Sequence, residues 1–231
     1  MSRLGVTAAE FSELNNRRTS DKLRIEGAYT HLSVADVNDS DSALFTQEQI
    51  RRFKDIVSFS KGNHKYVHCA NSGGILNHPG SCAQPFNMAR PGIALYDSSY
   101  DLDLSPGMIW KTRVCQIREI EAGITVGYGR TWKSKNNARI ATLSVGYADG
   151  LSRIASNCGE VSINGIRAPI VGMVSMDLTT VDVTHIPNIK VGDEAELFGG
   201  HILVAEAAEK LNTISYELLC SVGSRVPRVW Q

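Results

Sequence analysis

Apolar positions follow two different rhythms along this chain. Up to about Asp103, short apolar runs alternate with helical stretches. Thr7 and Glu10 have the spacing of a capping box ahead of Phe11 and Leu14, which predicts a short helix. Leu23, Ile25, Ala28 and Tyr29 predict a strand running into Thr30 and His31, and Asp36 to Ser42 is polar and predicts a loop. Thr46 and Gln49 form a second capping pair, after which Ile50, Phe53 and Val57 recur on one helical face. Tyr66, Val67 and Cys69 predict the next strand. Strand, loop, helix, strand is the order of a parallel α/β structure, whose sites lie at the carboxyl ends of strands.

From Leu104 onward the rhythm changes. Ser105-Pro106-Gly107 breaks the chain, and alternating strand-like segments replace the helices. We therefore divide the chain into domains 1–103 and 104–231, the second mainly β. Met108 to Ile120, Ile124 to Trp132, Ala138 to Tyr147, Val161 to Ile170 and Gly172 to Val183 are predicted as strands, with a hairpin turn at Asn164-Gly165. Val191 to Glu194 predicts a turn into a further strand ending at Phe198. Helix returns only at Val204 to Leu211 and Tyr216 to Ser221.

Composition narrows the function. With 231 residues and 42% hydrophobic side chains, the chain can bury a real core. Lys+Arg and Asp+Glu are both 24, so no overall field draws it to nucleic acid or an anionic membrane, and the expected partner is a small molecule or a protein. Cys69, Cys82, Cys115, Cys158 and Cys220 are scattered and odd in number, which argues against a disulfide framework and against a zinc site. Buried free thiols in a cytoplasmic protein are expected. Neither a leader-like apolar stretch nor a membrane-length run is present in the sequence.

Candidate chemistry concentrates in His68 to Tyr96. Asn71, Ser72, Gly73 and Gly74 follow an apolar strand, and Arg90-Pro91-Gly92 places a fixed cation beside bare backbone. Exposed amides with a serine hydroxyl suit a phosphate; an ordinary Asn/Gly/Pro turn would read the same way. In the second domain Tyr128 lies between Gly127 and Gly129, where its ring can leave a strand unscreened. A phenol acting as a base near neutrality needs its pKa moved by about 3 units from about 10, worth on the order of 4 kcal/mol of cationic or hydrogen-bond help. His31 and Arg90 are the candidate helpers, and simple packing of Tyr128 across a sheet is the other reading. Tyr147, in Gly146 to Gly150, has the same ambiguity.

Taken together, these motifs resemble the alanine racemase family. The residues that carry the resemblance are Met1 to Gly5, Tyr29-Thr30-His31, His68 to Ser72, Arg90 to Tyr96, Gly127 to Trp132, Ser144 to Gly150, Ala168 to Gly172 with Ser175-Met176-Asp177, and Ile214 to Glu217 through Arg225 to Arg228, in the family's order. The resemblance implies a pyridoxal 5'-phosphate enzyme that interconverts L- and D-alanine and supplies D-alanine for peptidoglycan. It implies the later part of a (β/α)8 TIM-type barrel followed by a C-terminal mainly-β domain, in a cytoplasmic homodimer with a shared site. Tyr128 would take the α-proton of the L-enantiomer, with His31 and Arg90 behind it. His68, Asn71, Ser72, Arg90, Gly92, Ile93 and Tyr216 would bind the cofactor. Arg3 and Met176 would hold the substrate carboxylate, and Tyr147 and Asp177 would line the mouth.

One departure stands out. The lysine that attaches the cofactor and serves as the second base belongs to a motif near the start of family barrels, and no lysine here has that context. Lys22, Lys54, Lys61 and Lys65 fall on polar helix faces or turns. The expectation is therefore a C-terminal portion of a racemase, inactive as this chain. The alternative is a non-catalytic dimerisation or interaction module left by truncation, and a third reading is a pyridoxal-phosphate-binding relative without racemase activity.

Overall fold

The structure is a computed structural model and describes residues 1–16, 25–59, 64–96 and 105–230. It divides into two compact units, Met1–Ala94 and Leu95–Gln231. The domain limit expected at 103/104 lies outside the described residues, as do Lys22, Leu23 and Lys61.

The first unit is a strand, helix, strand assembly preceded by a short helix. In α1 (Ala8–Asn16) the capping box forms as read: the Thr7 amide donates to Glu10 Oε2 at 2.7 Å, and the Glu10 amide donates back to Thr7 Oγ1 at 3.3 Å. β1 (Gly27–Tyr29) pairs in parallel with β2 (Tyr66–His68), Tyr29 opposite His68. Between them α2 (Ser40–Phe59) turns Ile50, Phe53 and Val57 to the core, while Glu48, Arg51, Arg52 and Asp55 pair on its outer face. Its start corrects the sequence reading, because Asp39, not Thr46, receives the first-turn amide, that of Ser42 at 2.9 Å. Residues 40–42, read as loop, are helix, and Thr46 is buried inside it. Phe53 stacks on Phe86 at 5.7 Å, closing a core with Leu32, Ala35, Val67 and Cys69.

The second unit is built on a six-stranded antiparallel sheet ordered β8-β7-β10-β3-β6-β9. Its strands are β3 (Trp110–Ile120), β6 (Ala138–Leu143), β7 (Glu160–Ile163), β8 (Ile166–Pro169), β9 (Thr179–Asp182) and β10 (Glu194–Phe198). The outermost strands approach each other through an Ile170–Val181 bridge, so the sheet curls almost shut around Leu143, Val161, Ile163 and Val181. Asn164 and Gly165 both take positive φ (54° and 77°), the requirement of a two-residue hairpin between β7 and β8. Helices α4 (Val204–Lys210) and α5 (Ser215–Ser221) add Val204, Ala208, Leu211 and Leu218 to this core.

Three sequence expectations fail, two of them in the strands of this unit and one across both units. Ile124 to Trp132 is a hairpin, β4 (Thr125–Val126) and β5 (Trp132–Lys133), with Tyr128 in the helical turn between them. Gly127 and Gly129 take positive φ (74° and 70°), which bends the backbone out of any strand. Of Gly172 to Val183 only Thr179–Asp182 is strand, because residues 172–178 wrap under the Gly146–Tyr147 turn. Finally, the thiols are not generally buried: Cys69 is, but Cys82, Cys115, Cys158 and Cys220 are exposed.

Candidate active site

In the first unit, seven of the candidate residues gather at the carboxyl end of the β1–β2 pair. Arg90 is the hub. Its backbone amide continues the β2 edge by donating to Ala70 O at 2.9 Å. Its Nη2 donates to Thr30 O at 3.0 Å, Cys69 O at 3.2 Å and His31 Nδ1 at 3.3 Å, and Nη1 donates to His68 Nδ1 in a short contact. Arginine has no lone pair to offer, so both imidazoles accept, which requires each Nδ1 to be unprotonated. Burial and the Arg90 charge accordingly hold His68 below its ordinary pKa of 6.5, and the same causes, with Arg3 and the terminal amine adding, lower His31. Burial alone pulls Arg90 below its usual value, but a guanidinium stays charged.

Beside this cluster the chain leaves β2 and turns sharply. Asn71 caps α3 (Ser72–Asn77), its Oδ1 accepting from the Gly74 amide at 3.0 Å. Gly73 is needed there, because a Cβ would lie 2.7 Å from the Ala35 carbonyl carbon. Ser72 Oγ donates to Pro91 O at 2.7 Å and accepts from the Ala94 amide at 3.2 Å, clipping the Arg90–Ala94 loop to the start of α3. Gly92 takes a φ of +25°, and a side chain there would stand 3.4 Å from the serine hydroxyl. The bare backbone at Gly92 therefore lies next to Ser72, with Ile93 buried beside it. That is a fit for a phosphate.

Two residues at this site escaped the sequence reading. Gln49 Nε2 donates to His31 O at 2.7 Å, fixing the turn that carries the imidazole, whereas its spacing from Thr46 suggested a cap. Tyr29 lies flat on His68, with ring centroids 5.2 Å apart. The signal was present in each case: an amide on the inner helical face, and an aromatic two residues before His31.

The second unit brings Tyr147, Met176 and Asp177 together. The Tyr147 amide donates to Ser175 O and the Ala148 amide to Met176 O, both at 3.0 Å, and only a glycine at 146 fits against Met176 O. Arg225, not singled out from sequence, bridges Asp177 at 2.8 Å and Asp149 at 3.4 Å. Tyr128 lies on the β4–β5 turn and is 73% exposed. That turn is anchored rather than loose: Asn157 donates to Thr131 Oγ1 at 3.1 Å and accepts from the Gly172 amide at 2.7 Å, and Gly172 packs tightly on Val126. Tyr216 lies in the first turn of α5, about half exposed.

The comparisons with known proteins agree across both units. The family description "Alanine racemase, N-terminal domain" matches residues 1–99, and "Alanine racemase, C-terminal domain" matches residues 107–230. The chain belongs to the alanine racemase family. It is 39% identical to an alanine racemase of Syntrophobacter fumaroxidans over 236 residues, covering 96% of this chain and 61% of that protein. It is likewise 39% identical to alanine racemase 2 of Caldanaerobacter subterraneus, covering all of this chain and 62% of the relative. Among solved structures, the biosynthetic alanine racemase of Pseudomonas aeruginosa superposes with a TM-score of 0.85 at 35% identity, over 100% of this chain and 64% of that one. The alanine racemase of Bartonella henselae, solved with covalently bound pyridoxal phosphate, gives 0.84 at 36% identity over 99% and 63%. The chain thus spans a little over three fifths of the length of these racemases.

Proposed function

We propose that this chain supplies the cofactor-facing and substrate-facing residues of a pyridoxal-phosphate-dependent alanine racemase. The observation that carries the proposal is the Arg90 cluster, in which one cation is held by His31 and His68 beside the Ser72–Gly92 surface, within a chain whose two halves both match the family. In this reading Met1–Ala94 is the later part of a (β/α)8 barrel and the remainder is the C-terminal β domain.

Ser72, Gly92, Ile93 and Tyr216 would hold the cofactor phosphate, and Asn71 and His68 would support that loop. When bound, pyridoxal phosphate supplies an electron sink that acidifies the α-C–H of an amino acid. Arg90 would face the pyridine nitrogen, where a permanent cation disfavours a second positive charge. Tyr128 would move the α-proton of L-alanine, with its phenol supported by the His31–Arg90 pair. Arg3 and Met176 would position the substrate carboxylate, and Tyr147 and Asp177 would line the entrance. A homodimer sharing the site, working in the cytoplasm to provide D-alanine, completes the reading. Among the described residues no helix is long and apolar enough to cross a membrane.

The test is D-alanine formation, assayed on the chain as given and on the same chain extended by the N-terminal barrel segment of a relative. Turnover in the extended form alone supports the proposal, turnover in the chain as given would show that the second base lies within these residues, and in an active form Tyr128→Phe should slow α-proton exchange from L-alanine more than from D-alanine. Equal retention of both exchanges would remove Tyr128 from its role. Failure of both forms would return the chain to the interaction-module reading, which the alanine racemases named above do not favour.

A further inference from the structure

We infer that Tyr29 is a positioning residue for Arg90: its ring, laid flat on His68, holds that imidazole as the acceptor that aims the guanidinium. What Arg90 then does rests on the racemase reading; how it is held does not.

The arrangement follows from strand register. β1 and β2 are parallel with Tyr29 and His68 directly paired, so both side chains leave the same face of the sheet, about 4.8 Å apart. The rings are within 4° of parallel at 5.2 Å, and the Arg90 Cζ lies 5.4 Å from the tyrosine centroid. One aromatic face therefore meets both the histidine and the cation that the histidine accepts from. Although Tyr29 is 66% exposed, His68 is only 8% exposed. The tyrosine is thus a lid: one face excludes water from the imidazole, and the other faces outward.

Water reaching His68 would favour the imidazolium. A protonated Nδ1 could no longer accept from Arg90, and the Nη1 contact would be lost. The groups facing His68 are the Arg90 guanidinium, from the loop after β2, and the Tyr29 phenol, from β1. His31 meets the same guanidinium from the loop after β1. The phenol oxygen has no part in this scheme; the flat ring has.

The experiment follows His68 by NMR titration of the chain without cofactor, in the native sequence, Tyr29→Phe and Tyr29→Leu, with racemisation pH profiles of the same variants in the extended chain with pyridoxal phosphate measured alongside. Tyr29→Val, better suited to a strand, replaces the leucine variant if that one loses its circular dichroism signal. The expected result is an upward shift of the His68 titration in the leucine variant and none in the phenylalanine variant. With it should go a loss on the order of tenfold in kcat that phenylalanine restores. An unmoved titration in the leucine variant, or equal shifts in both variants, would overturn the inference. A native chain, as given and extended, that never racemises would instead overturn the racemase reading, and the titration would still decide for Tyr29.

Discussion

Arg90 Nη2 stands 3.3 Å from His31 Nδ1, and the same guanidinium takes His68 Nδ1 on its other arm. Two histidines are thereby used as neutral acceptors around one permanent cation. Each has a folded pKa below the ordinary 6.5, so between the two values the unfolded chain binds more protons than the folded one. The stabilisation is complete above about 6.5 and is lost as the pH falls through the lowered folded values. Thermal melts of the native chain should therefore weaken below pH 6.5. A His31→Gln, His68→Gln variant, which keeps two neutral acceptors, should lose that dependence. A double variant that follows the same pH curve as the native chain would place the dependence elsewhere.

Gly73 and Gly80 offer a paired test of how the loop after β2 is built. Alanine at 73 would set a Cβ 2.7 Å from both Ala35 C and Asp36 N, which are backbone atoms and cannot turn aside, whereas a Cβ at 80 meets nothing within 4 Å. Gly73→Ala should cost about 1–3 kcal/mol. Gly80→Ala should fall within about 0.5 kcal/mol of the native chain. The measurement is hydrogen exchange of amides in β2 and α3. Equal protection in the two variants would mean that the approach of α3 to Ala35 is not tight.

The five cysteines should separate into two classes. Burial pushes the Cys69 thiol up to about 11, against the opposing pull of Arg90, and Cys69 Sγ sits 3.4 Å from Ser81 O. Cys82, Cys115, Cys158 and Cys220 are exposed. Alkylation of the native chain at pH 8, read by mass spectrometry, should modify these four and leave Cys69 untouched until denaturant is added. Native labelling of Cys69 at a comparable rate would show that the Arg90 cluster opens readily.

Much of this architecture was legible because local chemistry and global position agreed. The Thr7–Glu10 box, the Asn164-Gly165 turn and the inner face of Ile50, Phe53 and Val57 each depend on residues close in sequence. Thr46 and Gln49 misled because their spacing satisfies the capping pattern, yet Asp39 lies a turn and more upstream and already caps the helix. Tyr128 misled because alternation cannot reveal that two flanking glycines take positive φ. Tyr29 was legible as a strand aromatic before His31, but its contact with His68 was not, since it exists only through the parallel register of β1 and β2, which pairs residues 39 positions apart. The Arg90 motif marked the site, but its acceptors are set by tertiary pairing.

Glu196 provides the corresponding test in the second unit. It is a nearly buried carboxylate, and Oε1 accepts the amides of Gly200 at 2.8 Å, His201 at 2.5 Å and Ile202 at 3.1 Å, while Oε2 meets His201 Nδ1 at 3.0 Å. Burial by itself would raise its pKa; the hydrogen bonds from His201, Ile202 and Gly200 together outweigh burial and set it below the ordinary 4.5. The carboxylate thus organises the turn that carries the chain from β10 into α4. Glu196→Ala would strand three amides and should cost on the order of 2–3 kcal/mol. Glu196→Gln keeps one carbonyl oxygen as acceptor and should cost less. Because the folded pKa is lowered, the contribution is whole above 4.5 and is lost as the pH falls through the lowered value. Denaturant unfolding followed by tryptophan fluorescence suits the purpose, since Trp110 packs edge-on against Phe198 at 5.6 Å at the end of the same strand. The native chain should lose stability across that acidic window while the glutamine variant does so less steeply. Matching slopes in the two proteins would mean that Glu196 is held no differently folded than unfolded, and the turn would then owe its shape to Gly199 and its positive φ of 128°.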